Sequence, residues 1–177
     1  VKDGSRAGEI ISRTRALIGK VPPRRDALEV NETIREVLEL TRGETTKNNV
    51  LVLTEFGERL PAIRGDRVEL QQVVLNLIVN AIEAMDAVSG GSRQLMITTA
   101  TVDAGVLVSV QDAGPGLPSL AVDDLFAAFY TTKQRGLGLG LSICRSIVEG
   151  HGGQLTARQG LRGGAVFEFT IPAAGTD

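Results

Sequence analysis

Between residues 67 and 87 the chain reads "RVELQQVVLNLIVNAIEAMDA", and this stretch limits the folds open to it. Wound as a helix, it gives most of its circumference to Val73, Val74, Leu77, Ile78, Ala81, Ile82 and Met85. Steps of three and four from Glu69 through Gln72, Asn76, Asn80 and Glu83 leave one polar stripe. Such a helix has to be covered on most sides, so the rest of the chain must build layers around it. The stripe itself has two readings. Amphipathic helices commonly turn a polar face to solvent. Two amides with no Lys or Arg at the centre make an unusual solvent face, however. Amide oxygens are hard neutral ligands suited to Mg²⁺, which keeps several waters and accepts one or two protein groups plus phosphate oxygens.

The remaining periodicities supply those layers. Residues 6–20 place Ile10, Ile11, Thr14, Leu17 and Ile18 on one helical stripe, and Pro22 and Pro23 stop it, which predicts a separate helical stub and linker. Val30, Ile34, Val37, Leu38 and Thr41 predict a helix over 29–42 with Asn31 as a cap near its start. Alternation predicts a strand over 50–56, and "QLMITTATV" (94–102) and "VLVSVQD" (106–112) read as a hairpin turning at Asp103, Ala104 and Gly105. "LSICRSIVEG" is a helix ending at Gly150. "GQLTARQ" and "AVFEFTIP" form a second hairpin through Gly160, Gly163 and Gly164. A doubly wound parallel sheet needs helices between most strands, and two hairpins lack them. The order therefore predicts a two-layer α/β sandwich, a mixed sheet with helices on one face.

Composition excludes several classes. With 177 residues, 42% of them hydrophobic, the chain can bury one substantial core, which rules out disordered and fibrous readings. Its 19 basic and 21 acidic residues leave a net charge of −2, so no nucleic acid and no direct membrane contact is expected, and an anionic ligand has to be held locally. The single Cys144 cannot form an internal disulfide, and no apolar stretch approaches the roughly 20 residues that span a bilayer. Both predict a cytoplasmic setting. A start at Val1 with no signal-peptide pattern predicts an excised piece of a larger protein.

Two further motifs carry chemistry. In "VQDAGPGLP" a carboxylate at a strand end, Asp112, precedes Gly114 and Gly116, whose missing Cβ atoms permit close approaches; Asp–x–Gly is also ordinary turn chemistry. In "TTKQRGLGLGLSI", Gly136, Gly138 and Gly140 run straight into a helix, exposing backbone N–H groups at its N-terminus as a phosphate site, with Lys133 and Arg135 upstream as countercharge. The pattern is neither the GxxxxGK[ST] nor the GxGxxG loop, because Lys precedes the glycines and the helix comes late in the chain.

Together these pieces resemble the catalytic ATP-binding domain of bacterial sensor histidine kinases, the Bergerat-type ATP-binding fold shared with DNA gyrase, the large heat-shock chaperones and mismatch-repair ATPases. "QQVVLNLIVNAIEAM" is similar to the N box, "DAGPG" to the first glycine box, "LFAAFYTT" to the F box and "GLGLGLSICRSIVEGHGGQL" to the second glycine box, in the family's order. The nitrogen-regulation and oxygen-sensing kinases look most alike.

The resemblance implies ATP and Mg²⁺ as cofactors. Asn80 would coordinate the metal and Asn76 would support it. Asp112 would accept the adenine amine, with Gly114 and Gly116 making room for the purine. Lys133 would contact the phosphates, and the amides around Gly136, Gly138, Gly140 and Leu141 would bind them. Phe126 and Phe129 would anchor the lid. It also implies 1–20 as the end of a dimerisation helix, 21–27 as a linker, 28–173 as the catalytic domain and 174–177 as a tail. The implied partners are a dimerisation and phosphoacceptor domain of the same protein, a cognate response regulator and, in the full-length protein, a second copy.

One comparison and three departures matter. The gyrase-like hydrolases carry a Glu where this chain has Asn76, and an amide has no useful basicity, so the domain should hold nucleotide without rapid hydrolysis. Glu83, an alternative base, lies nearly two turns away. The only histidine, His151, falls in "EGHGGQ" between helix and strand, where the family has a structural turn, so the acceptor histidine lies outside this chain. Leu137 stands at a position the family usually gives to Thr, and Ala165 lacks a hydroxyl that relatives often place near adenine. The alternatives to a histidine kinase are a gyrase-like ATPase module, a Ser/Thr kinase of the same fold acting on an anti-sigma partner, and a nucleotide-free pseudokinase that docks a partner.

Overall fold

In the computed structural model, which describes residues 25–86, 88, 91–103, 105–119, 122–127, 138–161 and 163–175, the apolar helix runs from Arg67 to Asp86 at the centre of the molecule. The elements are β1 (Asp26–Leu28), α1 (Val30–Lys47), β2 (Leu51–Phe56), β3 (Ile63–Gly65), α2 (Arg67–Asp86), β4 (Gln94–Val102), β5 (Gly105–Asp112), α3 (Val122–Leu125), α4 (Gly140–Gly150), β6 (Gln154–Gln159) and β7 (Ala165–Pro172). The expected helical stub and the Pro22–Pro23 stop lie outside the described residues. Expected strands and helices otherwise fall within about one turn of their predicted bounds.

Five strands form one sheet in the order β2-β4-β5-β7-β6. The β2–β4 pair is parallel and the rest are antiparallel, so the sheet is mixed, as the two hairpins require. On β5 the buried residues alternate: Val106, Val108, Val110 and Asp112 face the helices, while Leu107, Ser109 and Gln111 on the other face are more exposed. The helices cover one face of the sheet, giving the two-layer sandwich.

Helix α2 supplies the middle of that sandwich. Leu70, Val73, Val74, Leu77, Ile78, Ala81, Ile82 and Met85 are all buried, and each except Ala81 contributes on the order of 1.5–3 kcal/mol when fully removed from water. By length and composition alone α2 could cross a bilayer, contrary to the expectation that no stretch comes near that length. Its packing against α1, α4 and the sheet is that of a core helix. Asp66 caps it, its Oδ1 accepting the N–H groups of Val68 at 2.9 Å and Glu69 at 3.1 Å.

Helix α1 corrects one expectation. Its N-cap is Glu29, with no side-chain cap, so Asn31 is inside the first turn and does not cap it. The Asn31 amide reaches across instead, donating to Gly57 O at 2.9 Å and accepting from Thr99 Oγ1 at 2.7 Å. The helix also runs one turn longer than predicted, on a stripe where buried Thr41 and Thr45 satisfy their hydroxyls on backbone carbonyls of the same helix.

Two three-residue strands, β1 and β3, pair antiparallel and were not predicted, because three residues carry no readable alternation. Strand β1 begins at Asp26, inside the expected 21–27 linker, and Ala174 of the expected tail donates its N–H to Ala62 O at 2.8 Å.

Candidate functional site

Strand β5 ends on Asp112, which is 5% exposed. Its Oδ1 accepts the backbone N–H of Gly114 at 2.8 Å and of Ala165, the first residue of β7, at 3.2 Å. Among the described residues no hydrogen bond falls on Oδ2. Burial pushes the carboxyl above the usual aspartate range, and the two N–H donors pull it back in part. A buried carboxylate held by one oxygen and offering the other can accept a hydrogen bond from a ligand amine.

Glycines allow this arrangement. Gly164 has φ +73, and a Cβ there would stand 1.9 Å from the Asp112 carbonyl oxygen. A Cβ on Gly114 would stand 2.8 Å from Asp112 Oδ1 and 3.2 Å from the Ala84 carbonyl carbon, so the loop after β5 packs against the last turn of α2. The space beside Gly116, at φ +89, is taken by the side chain of Gln159 from β6, whose Oε1 also accepts the Leu117 N–H at 2.8 Å. The resemblance assigned that space to a purine. Gln159 carries no motif and was not singled out from the sequence.

The polar stripe of α2 lies between this loop and α4. Asn76 Nδ2 donates to Cys144 Sγ of α4 at 3.6 Å. Ala84, eight residues on along the same stripe, touches the Gly114 loop. Asn80 stands one helical turn from each, half-buried. Glu83 is exposed.

Helix α4 begins at Gly140 after Gly138, whose φ is +66, and its N-cap Leu139 makes no side-chain cap hydrogen bond. Among the described residues no side chain is seen capping its N-terminus, and a Cβ on Gly140 would meet nothing within 4 Å. Leu141 packs in part on the core. Such a helix start is suited to an anion. Lys133, Arg135, Gly136, Leu137 and Phe129 lie outside the described residues.

Phe126 is a core aromatic, 4% exposed, edge-on to Phe167 at 6.4 Å, with the Arg145 guanidinium 5.7 Å above its ring. His151 occupies the structural turn expected for it. Its side chain is 1% exposed, its Nδ1 bonds Ile147 O at 2.8 Å and its Nε2 accepts the Asp66 N–H at 3.0 Å.

Among the described residues no three His, Cys, Asp or Glu side chains stand together as a metal cluster. Amide oxygens on α2 and an uncapped helix start fit a divalent cation that shares its shell with phosphate oxygens.

The chain's residues 65–175 match the family model described as "Histidine kinase-, DNA gyrase B-, and HSP90-like ATPase". The sensor histidine kinase TmoS of Ectopseudomonas mendocina is 37% identical over 177 residues, covering 98% of this chain and 18% of that protein. The chain spans 18%, 25% and 33% of the first three curated relatives it matches. Among solved structures, the nucleotide-free catalytic domain of histidine kinase ThkA superposes with a TM-score of 0.74 at 38% identity, covering 84% of this chain and 95% of that one. ThkA in complex with the response regulator protein TrrA gives 0.78 at 34%, covering 96% and 48%.

Proposed function

Because the chain belongs to the histidine kinase-, DNA gyrase B-, and HSP90-like ATPase family, we propose that it is the ATP-binding catalytic domain of a two-component sensor histidine kinase. It binds Mg·ATP and donates the γ-phosphoryl group to a histidine outside this chain. The observation that carries the reading is Asp112, buried at a strand end with Oδ1 saturated by backbone and Oδ2 open, beside a helix whose polar stripe holds two asparagines.

In this reading Asp112 Oδ2 accepts the exocyclic amine of adenine. Gly138, Gly140 and Leu141 offer backbone N–H groups to the phosphates, with Lys133 and Gly136 adding to that cradle. Asn80 supplies an amide oxygen to Mg²⁺ and Asn76 supports it. Held there, Mg²⁺ would supply countercharge to the phosphate oxygens. Asn76 cannot take a proton from water, and its Nδ2 is engaged by Cys144. This opposes the gyrase-like alternative, so the γ-phosphoryl is kept for an in-line acceptor.

In this reading residues 28–173 are the catalytic domain, joined by β1 from Asp26 and by Ala174, whose N–H bonds Ala62 O. The acceptor belongs to a dimerisation domain of a homodimeric kinase, the cognate response regulator receives the phosphoryl group, and the domain works in the cytoplasm, where ATP is supplied. The named partner of ThkA supports the regulator.

Calorimetric titration with ATP, with and without Mg²⁺, tests the reading. Saturable binding strengthened by metal is expected. Asp112→Ala weakens binding in both conditions, whereas Asn80→Ala removes chiefly the gain from Mg²⁺. Equal, small effects of the two would sink the assignment, and absence of binding would leave a docking module.

A further inference from the structure

We propose that Cys144 is a positioning residue: its thiol, seated between Val73 and Asn76, sets which end of the Asn76 amide faces α4 and so directs Oδ1 away from that helix. This rests on the nucleotide-site reading of the α2 stripe.

Counting donors and acceptors fixes the polarity. The Cys144 Sγ lies 3.9 Å from Val73 O and 3.6 Å from Asn76 Nδ2, within the longer reach of sulfur. A carbonyl can only accept, so where the sulfur bonds both groups its single proton goes to Val73 O and its lone pairs to Asn76 Nδ2. The sulfur then has lone pairs alone to offer Asn76, and the amide must present its N–H to them. A flipped amide would set Oδ1 against a sulfur whose proton is already committed. Polarity thus runs from a main-chain carbonyl of α2, through a side chain of α4, back to an amide one turn along α2.

Two observations support a fixed polarity. Cys144 is 0% exposed, so no water competes for the sulfur. Burial also raises the thiol to about 12, which keeps the donated proton in place at working pH. Among the described residues Asn76 has no other hydrogen bond to hold it. Valine at 144 would fill similar space and carry no polarity.

The test uses the ¹⁵N-labelled chain, with the Asn76 side-chain NH₂ signals assigned through Asn76→Asp. In the wild type these protons should exchange more slowly than those of exposed Asn49. Cys144→Val should bring them to the exposed rate, and Cys144→Ser, which keeps one donor and lone pairs, should retain protection. Calorimetry on the same proteins should show the Mg²⁺-dependent gain in ATP affinity reduced about fivefold in Cys144→Val, as expected for loss of one ordinary hydrogen bond, with metal-free affinity within about twofold. Unchanged amide exchange in Cys144→Val overturns the proposal, as does loss of protection in Cys144→Ser to the level of Val. If the wild type binds no ATP, the nucleotide reading fails, while the amide signals still decide the polarity.

Discussion

The Nε2 of His151 accepts the backbone N–H of Asp66 at 3.0 Å, joining residues 85 apart in the chain. Asp66 caps the start of α2 and His151 caps the end of α4, so one imidazole ties the two helix ends that bracket the candidate site. With Nδ1 bonded to Ile147 O, the ring has to carry its proton on Nδ1.

Replacement by phenylalanine keeps the volume and strips both bonds. His151→Phe should lose about 1–3 kcal/mol from the orphaned Asp66 N–H. For a domain of this size that is a fall of roughly 2–4 °C in Tm per kcal/mol, read by a thermal scan. Because the side chain is 1% exposed, phosphosite mapping after incubation with ATP and an acceptor domain should return no phosphohistidine at His151.

Asp112→Asn should separate stability from binding. A carboxyl whose folded pKa is raised holds its proton more readily when folded, so its ionisation costs stability as pH rises from the ordinary 3.8 toward the folded value, and the cost persists above it. Asparagine keeps an oxygen for Gly114 and Ala165 without the buried charge. Its Tm at pH 7 should equal or exceed that of the wild type, with the advantage vanishing as pH falls below about 4. ATP affinity should fall at least about tenfold, since an amide donor would meet the adenine amine. A lower Tm at pH 7 with binding intact would refute this.

Two adjacent glycines should respond differently to alanine. Gly163, at φ +93, has nothing within 4 Å of the place a methyl group would take, so Gly163→Ala should cost only backbone strain, about 1–2 kcal/mol. Gly164→Ala adds a collision with Asp112 O, and it should cost clearly more and weaken ATP binding as well. Urea midpoints on both variants provide the comparison.

Cys144 should report unfolding. With its thiol raised to about 12 and fully buried, thiolate is scarce in the native state across pH 7–9. Disulfide-exchange labelling at pH 8 should be at least roughly a thousandfold slower in buffer than in denaturant, in proportion to the folding equilibrium. Rapid native labelling would show that α4 opens locally.

Much of the architecture was legible because it rests on local rules. Strands β4 to β7 follow from alternation and turn residues, and α2 from its 3.6-residue period. Asn31 was misread because an Asn near a helix start is ordinarily a cap, and only the packing of Gly57 and Thr99 against the first turn gives its amide other partners. β1 and β3 were too short to show a period. The site was visible as three motifs, yet the sequence said nothing of how they meet.

By itself, the sequence determined which helix is central, that the sheet is mixed, and that amides, a carboxylate and glycines stand at Asn76, Asn80, Asp112 and the two glycine-rich turns. The tertiary structure alone decided that Ala165, 53 residues from Asp112, holds its carboxylate, that Cys144, 68 residues from Asn76, orients toward that amide, and that Gln159 fills the space beside Gly116. Periodicity and turn chemistry act over a few residues and state which face is buried. Which atoms then touch depends on how sheet and helices stack, and a short-range pattern holds no information on that.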